Sequence, residues 1–202
     1  MIPFSILSTS GGLAQSADSS SLNVKTAETA GVLLEYTVAA STAKTFADAD
    51  VNTTTDRITI TSHGYYTGRK VAATSSGTLP GGLSATNYYV IKVDANTIKL
   101  ASSMANAVAG TAVDITSAAG GGTHTLTPAA ISTVSWKLQG SFDDSTWFDI
   151  PAADLQSMSG NITATGNVFT HHDSVAYCYI RVSFTAATAG QFDYVFTAMV
   201  KE

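Results

Sequence analysis

Apolar and polar residues alternate with a period of two along most of this 202-residue chain, and the 3.6-residue period of an amphipathic helix is nearly absent. Such alternation sends successive side chains to opposite faces of a β-strand. Thr, Val, Ile, Tyr and Phe dominate these stretches, and such residues suit a pleated, half-buried surface. The sequence therefore predicts an all-β fold. The predicted strands are 22–25, 33–38, 58–61, 88–93, 97–100, 113–116, 134–138, 146–150, 162–169, 177–184 and 192–199.

Short turns separate the predicted strands. Leu79–Gly82 has the Pro-Gly order of a type II turn, Asp94–Asn96 is predicted as a hairpin loop with Asn96 in the left-handed conformation, and Gly140–Ser145 is predicted as a second hairpin. Because the turns are closely spaced, antiparallel sheets in a sandwich or small barrel are favoured over a parallel sheet. Only Ser102–Ala109 is predicted to be helical.

Two small, polar and poorly patterned segments, 41–56 and 127–130, flank a stretch that is self-contained in hairpins. We interpret them as linkers. The sequence then predicts a small β-barrel-like module at residues 55–127, inserted into a discontinuous antiparallel β-sandwich made of residues 1–50 plus 130–202. Insertion at such seams is tolerated because the entropic cost of loop closure grows slowly with loop length.

The charge balance limits the partners. The formal net charge is −5, only 12% of residues are charged, and no basic run occurs. Nucleic-acid binding needs clustered cations that neutralise phosphates, so nucleic acid is not expected as a partner. No signal peptide and no membrane span are predicted, and we expect a soluble protein made in a cytoplasm. The single cysteine, Cys178, excludes an internal disulfide framework.

One cluster contains metal-ligand residue types: His171, His172, Asp173 and Cys178. Adjacent histidines in a strand point to opposite sides, and the spacing matches no common zinc pattern. We therefore interpret the cluster as a polar loop that enters the strand at 177–184, and we predict no metal. By alternation Cys178 is expected to be a small buried residue.

No catalytic residue is predicted. Paired carboxylates could cleave a glycoside, and the candidates are Asp143, Asp144, Asp149 and Asp154, but Asp143 and Asp144 lie in a predicted solvated turn, where Asp is an expected residue. No G-x-S-x-G motif occurs, and His63, His124, His171 and His172 have no recognisable catalytic setting. Neither a dinucleotide fingerprint nor a phosphate-binding loop is present. The sequence thus favours a protein without enzyme activity or cofactor.

Large aromatic residues are the candidates for contacts. Alternation places Trp136 and Leu138 in the core, whereas Trp147 and Phe148 must diverge, so that one of them is exposed or packs on a partner. Tyr89 is expected on the outer face of its strand, opposite to its neighbour in the chain. Tyr89, Trp147 and Phe148 are therefore the predicted interaction residues; the alternative, which is the more ordinary one for an exposed tyrosine, is that the ring covers its own sheet.

The central segment contains, in this order, the motifs Ile58–Gly64, Thr67–Gly68, Gly77–Leu83, Asn87–Ala101, Gly110–Ile115 and Gly122–Thr125. This order of motifs resembles a β module that recurs in structural and fibre proteins of tailed bacteriophages. The segments Trp136–Ser141, Asp144–Trp147 and Tyr179–Val182 show a shorter resemblance, to sandwich-type segments of phage virion proteins.

This resemblance implies a virion component and supplies no catalytic residue. The expectation is a structural protein on the capsid or tail surface, an accessory or decoration protein that contacts other virion proteins and forms a homo-oligomer. A sheet surface rich in Ala, Thr, Ser and Gly, which make up 98 of the 202 residues, leaves few ions to desolvate on contact. The alternative is a module of a tail or head fibre that binds host-surface glycans through an exposed aromatic ring such as Trp147 or Tyr89.

Overall fold

The computed structural model describes residues 4–14, 16–25, 29–40, 42–118, 120–130, 134–151, 159–172, 177–186 and 190–201. Its strands are β1 (Phe4–Leu13), β2 (Ala17–Asp18), β3 (Leu22–Asn23), β4 (Thr29–Val38), β5 (Lys44–Phe46), β6 (Val51–Asn52), β7 (Arg57–Thr59), β8 (Lys70–Ser75), β9 (Asn87–Lys92), β10 (Thr97–Ala101), β11 (His124–Pro128), β12 (Val134–Ser141), β13 (Phe148–Asp149), β14 (Ser159–Ile162), β15 (Gly166–His172), β16 (Tyr179–Ala186) and β17 (Phe192–Lys201). A 3-10 turn covers Asp48–Asp50, and the helix α1 covers Met104–Ala109.

The chain divides into two compact units. Unit 1 comprises Met1–Val38, Ser132–Ala187 and Phe192–Glu202, and unit 2 comprises Ala39–Ile131 and Thr188–Gln191. No helix in the described part of the chain is long and apolar enough to cross a membrane.

Unit 1 is a sandwich of two antiparallel sheets. One sheet has the strand order β1-β17-β4-β15, and the other has the order β13-β12-β16-β2, with β14 also paired to β12 and β3 to β16. Between the sheets, the Phe184 ring lies 5.2 Å from that of Phe192 and 4.9 Å from that of Tyr194. Alternate residues of β12, β16 and β17 face this core, as strand geometry requires.

Unit 2 is a seven-stranded antiparallel sheet in the order β5-β11-β8-β9-β10-β7-β6. Its core is filled by alternate residues of the strands and by residues from the intervening loops. These core residues are Phe46, Ile58, Ile60, Tyr65, Val71, Ala73, Leu79, Tyr88, Val90, Ile98, Leu100, Ile115 and Leu126.

The predicted all-β class, with antiparallel sheets in a sandwich, is confirmed, and several local predictions are wrong. Residues 113–116 form no strand, although the Val113 N–H donates to the Leu100 carbonyl at 2.7 Å. Residues 44–52, which we interpret above as linker, contain β5, the 3-10 turn and β6. The strand predicted at 162–169 is two strands, β14 and β15, which belong to different sheets.

The predicted helix begins two residues later than expected. Ser103 caps α1, since its Oγ accepts a hydrogen bond from the Asn106 N–H at 3.1 Å. The helix ends at Gly110, which has φ 75°, a left-handed conformation that favours glycine.

His63 fixes the turn that follows β7. Its Nδ1 accepts a hydrogen bond from the Tyr65 N–H at 2.9 Å, and its Nε2 lies 2.8 Å from the Asp94 carbonyl oxygen, to which it donates. A neutral imidazole satisfies both contacts, and burial lowers the pKa of His63 below its ordinary value of 6.5.

His63 is therefore expected to make stability pH-dependent. The unfolded chain, in which this pKa is not lowered, binds more protons below pH 6.5, so the contribution of His63 is complete above pH 6.5 and declines as the pH falls. We expect the difference in urea midpoint between the unmodified chain and His63→Gln to shrink from pH 8 to pH 5. An equal difference at both values would contradict this assignment.

Candidate functional site

The hairpin between β12 and β13 is held by the side chains of its own turn. Asp143 Oδ1 accepts hydrogen bonds from the N–H groups of Ser145 and Thr146 at 3.0 and 2.8 Å. These bonds, the Thr146 one foremost, hold the pKa of the Asp143 carboxyl well below its usual range. The buried hydroxyl of Ser141 accepts from the Asp143 and Asp144 N–H groups. The predicted hairpin is confirmed, with both carboxylates in an exposed turn.

This hairpin presents phenylalanine to solvent. Phe142 is 58% exposed and Phe148 is 51% exposed. The Tyr177 ring lies 5.4 Å from that of Phe142 and covers Gly140, the cross-strand partner of Phe148. We call Phe142, Phe148 and Tyr177 the hairpin aromatic patch. A turn with fixed backbone thus carries two large apolar side chains that contribute little to the core of unit 1.

Trp147 lies on a different face from Phe148, as alternation predicts. The Arg181 guanidinium carbon is 4.2 Å from the centre of the Trp147 ring, which is half-buried. Arg181 is itself held by Asp18, whose Oδ2 is 2.9 Å from its Nη1, and by Gln139 Oε1, 3.0 Å from its Nε. A bound sugar ring would stack on a face of the indole, and Arg181 already covers one of these faces.

The acidic residues of this hairpin do not form a carboxylate pair. Asp149 accepts from Lys137 Nζ at 2.7 Å and from Gln139 Nε2 at 2.9 Å, and these two donors lower its pKa. Asp143 is committed to its turn. Asp154 lies outside the described residues. Asp149 thus forms a surface ion pair, and Asp143 caps its own turn.

Tyr89 is on the outward face of unit 2. In β9 the buried residues are Tyr88 and Val90, and Tyr89 between them is half-buried. The hydroxyl of Tyr88 accepts a hydrogen bond from the Ser84 N–H at 2.9 Å, which anchors the inner ring. Tyr89 belongs to unit 2, whereas Trp147 and Phe148 belong to unit 1.

The predicted polar loop near β16 is only partly described. His171 and His172 end β15, their side chains lie outside the described parts, and so does the whole of Asp173. Cys178 is half-buried, so the prediction that it is buried is wrong; it lies just before β16, where the alternation begins. Among the side chains that the structure describes, no three metal-ligand types converge.

Unit 2 contains a buried polar network that the sequence pattern does not predict. His124 is fully buried, its Nε2 lies 2.8 Å from Asp48 Oδ1, and its Nδ1 lies 3.0 Å from Ser75 Oγ. The Asp48 carboxylate accepts from Nε2–H, so Nδ1 is the free acceptor for the Ser75 hydroxyl. These bonds connect β11, β8 and the 3-10 turn.

The same network binds the loop that contains Gly120, Gly121 and Gly122. Asp48 Oδ2 accepts from the N–H groups of Gly121 and Gly120 at 2.9 and 3.3 Å. The hydrogen bonds from His124 and then from the two glycines lower the pKa of Asp48. Ser75 Oγ also accepts from the Gly77 N–H at 3.0 Å. A serine, a histidine and a carboxylate also form hydrolase triads, but here each of these atoms holds a neighbouring chain segment.

Alternation contains a signal for His124. It is in phase with Leu126 and Pro128, which are buried in β11, so the pattern extended by two residues predicts an inward-facing histidine. Its partner Asp48 lies 76 residues away in a segment without pattern, and the sequence carries no sign of that pairing.

Asp48→Ala is expected to lower the thermal midpoint of unit 2 by several degrees. The change leaves the His124 Nε2–H and the N–H groups of Gly120 and Gly121 without their acceptor. Far-UV circular dichroism on heating measures the effect, and Asp114→Ala in the same unit is the control. A midpoint equal to that of the control would show that the network does not stabilise the fold.

Comparisons with known proteins add no identification. No protein family and no curated protein sequence matches the chain. Among solved structures, VP17, a capsid protein of bacteriophage P23-77, is 9% identical with a TM-score of 0.21, over 99% of this chain and 96% of that one. A complex of VP16 and VP17, the two major capsid proteins of that phage, matches with 8% identity and a TM-score of 0.22, over 98% and 100% of the chains. TM-scores this low carry no conclusion about fold or function.

Proposed function

We propose that the chain is a non-enzymatic structural protein of a tailed-phage virion, which attaches to the capsid or tail surface through protein–protein contacts. The virion context rests on the motif order of residues 58–125. The observation that carries the contact function is the hairpin aromatic patch. Phe142 and Phe148 are each more than half exposed on a turn fixed by Asp143. Exposed phenylalanine on a rigid support is typical of a residue that becomes buried in an interface.

The rest of the hairpin supports the same proposal. Lys137, Asp149, Gln139 and Arg181 satisfy one another in a chain of contacts between 2.7 and 3.0 Å. These charged groups lie on the Trp147 face, one residue out of phase with Phe148, so a partner that covers Phe148 does not need to desolvate them. The apolar rings can therefore supply the binding energy. We propose other virion proteins, and further copies of this chain, as the partners.

Locating the protein tests the proposal. Purified particles should contain the chain in a fixed copy number, measured by mass spectrometry, and electron microscopy should place it at symmetry-related positions on the head or tail. The mass of the free protein in solution gives its oligomeric state. Absence from washed particles would overturn the proposal.

Enzyme activity needs a separate test, because the hydrogen-bonded series Ser75, His124 and Asp48 resembles a hydrolase triad. A fluorophosphonate probe, which modifies activated serines, should leave Ser75 unlabelled when the intact protein is analysed by peptide mass spectrometry. Labelling at Ser75 that disappears in His124→Gln would show an activated nucleophile and contradict a purely structural role.

Glycan binding predicts a different result. A glycan platform would depend on Trp147, so that Trp147→Ala would abolish binding to host cells and leave particle assembly intact. Arg181 occupies one face of that ring, and we therefore expect Trp147→Ala particles to bind cells as unmodified particles do. A selective loss of cell binding would replace the contact function by receptor recognition.

A further inference from the structure

Unit 2 buries an arginine whose donors are largely unused. Arg69 is 1% exposed, and its Nη2 lies 3.4 Å from the Ala40 carbonyl oxygen, a long hydrogen bond. Its Nε and Nη1 have no hydrogen-bond partner in the part of the chain that the structure describes. A guanidinium stays protonated and offers five N–H donors, so burial without a counter-charge is costly. The site therefore calls for a group that brings acceptors and negative charge together.

The guanidinium borders a cavity of about 140 Å³. Tyr65 also lines this cavity, is buried, and has a hydroxyl without a partner among the described residues. Burial raises the pKa of Tyr65 to about 12, so that its hydroxyl keeps its proton and can donate. Three donor atoms without a partner, two nitrogens of Arg69 and the hydroxyl oxygen of Tyr65, thus belong to residues that line one small cavity.

The charged side chains that line the cavity are cations. Lys44 is a second cation at the cavity, and the described lining includes no carboxylate. His63 uses both ring nitrogens in its own contacts, and Gln191 accepts from the Tyr66 N–H at 2.9 Å and donates to the Gly64 carbonyl at 2.8 Å. Neither residue can offset the charge of Arg69. Water could satisfy the three donors, but it would leave that charge uncompensated.

We propose that the Arg69 cavity binds a small oxyanion, a phosphate-type or carboxylate group, which accepts hydrogen bonds from Arg69 Nε, Arg69 Nη1 and Tyr65 Oη. Charge-assisted hydrogen bonds to an oxyanion satisfy the donors and the charge at once. The volume of the cavity limits the ligand to a group about as large as a phosphate or a carboxylate. The proposed anion site does not involve the hairpin aromatic patch. A failure to bind the anion would therefore leave the proposed function untouched, and the reverse also holds.

The experiment uses the full chain and inorganic phosphate as the probe. Isothermal titration calorimetry at pH 7 and constant ionic strength, with chloride as the replaced ion, should show saturable binding of about one phosphate per chain. The thermal midpoint of unit 2 should rise with phosphate concentration in the same range, because a ligand that binds only the folded state stabilises it. Absence of both effects, with acetate as well as phosphate, would overturn the proposal.

Two variants and a control assign the site. Arg69→Met keeps an unbranched buried side chain and should abolish binding, whereas Arg57→Met, which removes an exposed arginine of the same unit, should not change the affinity. Tyr65→Phe keeps the buried ring and should weaken the affinity at least several-fold, which tests the site even where Arg69→Met fails to fold. If both variants fold and each binds phosphate with unchanged affinity, the assignment is overturned. If Arg69→Met does not fold, unchanged phosphate affinity in Tyr65→Phe is enough to overturn it.

Comparison of ligands identifies the source of the anion. Tighter binding of phosphate than of acetate indicates a free phosphate-type ion, and comparable binding of acetate indicates a carboxylate group. Either result supports an oxyanion site, whereas equal stabilisation by chloride alone would contradict it.

Discussion

A chain that carries Phe148→Asp should fold as the unmodified protein does and fail to join the virion. Phe148 is 51% exposed, so a carboxylate in its place remains largely hydrated in the free protein. In a contact with a neighbouring subunit the same carboxylate would be buried without a partner, at a cost of about 3 kcal/mol or more. That cost corresponds to a loss of about 100-fold or more in affinity. Competition with unmodified protein for particles that lack it, read as occupancy by electron microscopy, measures the effect.

Met199→Asp is the matched control for this experiment. Met199 is 49% exposed and lies on β17, in the other sheet of unit 1, so the change adds the same charge at similar exposure away from the hairpin. We expect Met199→Asp to reach full occupancy. Equal loss in both variants would indicate a general effect of added negative charge, and full occupancy of Phe148→Asp would exclude the hairpin aromatic patch as the attachment surface.

Gly82→Ala should destabilise unit 2 by about 3 kcal/mol. Gly82 has φ 90°, a region that alanine rarely adopts, and a Cβ built there would overlap the carbonyl oxygen of Asp114. The strand-like contact between Gly81 and Thr116, with its N–H···O distance of 2.9 Å, prevents the two backbones from separating freely. Gly110→Ala is the control, because Gly110 has φ 75° but open space around it, and we expect it to cost only about 1 kcal/mol.

Tryptophan fluorescence reports the unfolding of unit 1 alone, whereas circular dichroism reports both units. The chain has 2 tryptophans, Trp136 and Trp147, and both lie in unit 1. We propose that the two units unfold separately. In urea, Gly82→Ala should then shift part of the circular dichroism transition to lower denaturant and leave the tryptophan transition unchanged. Coincident shifts of both signals would show that the units unfold as one.

Much of the fold could be predicted because alternation and turn chemistry are local properties. The alternation in 192–199 predicted the core-facing residues of β17, and the turn at Gly140–Ser145 predicted the β12–β13 hairpin. Asn96 shows the limit: it has no positive φ, and its side chain accepts from the Ser62 N–H at 2.8 Å. A distant backbone group therefore overrode the local preference of asparagine for the left-handed conformation.

The polar sites could be predicted only in part. Arg69 directly precedes β8 and is in phase with the buried Val71 and Ala73, so extending the alternation of β8 by one residue places it inward. Nothing in the pattern indicates that its donors are left without partners, since that depends on Tyr65 and on a cavity assembled from distant segments. The exposure of Phe148 was one of two alternatives in the sequence, and the contact of Arg181 with Trp147 decided between them.

The place of β17 has a consequence for how the protein forms in the cell. This strand lies between β1 and β4 and pairs with each along ten residues, yet the ribosome makes it after every other strand described here. The strands of unit 2 end at Pro128, so they can assemble while β17 is still in the exit tunnel. Until β17 leaves the tunnel, β1 and β4 each have an unpaired edge where β17 will pair. The nascent chain is then open to pairing with neighbouring copies, and this interval is where chaperone assistance would matter most.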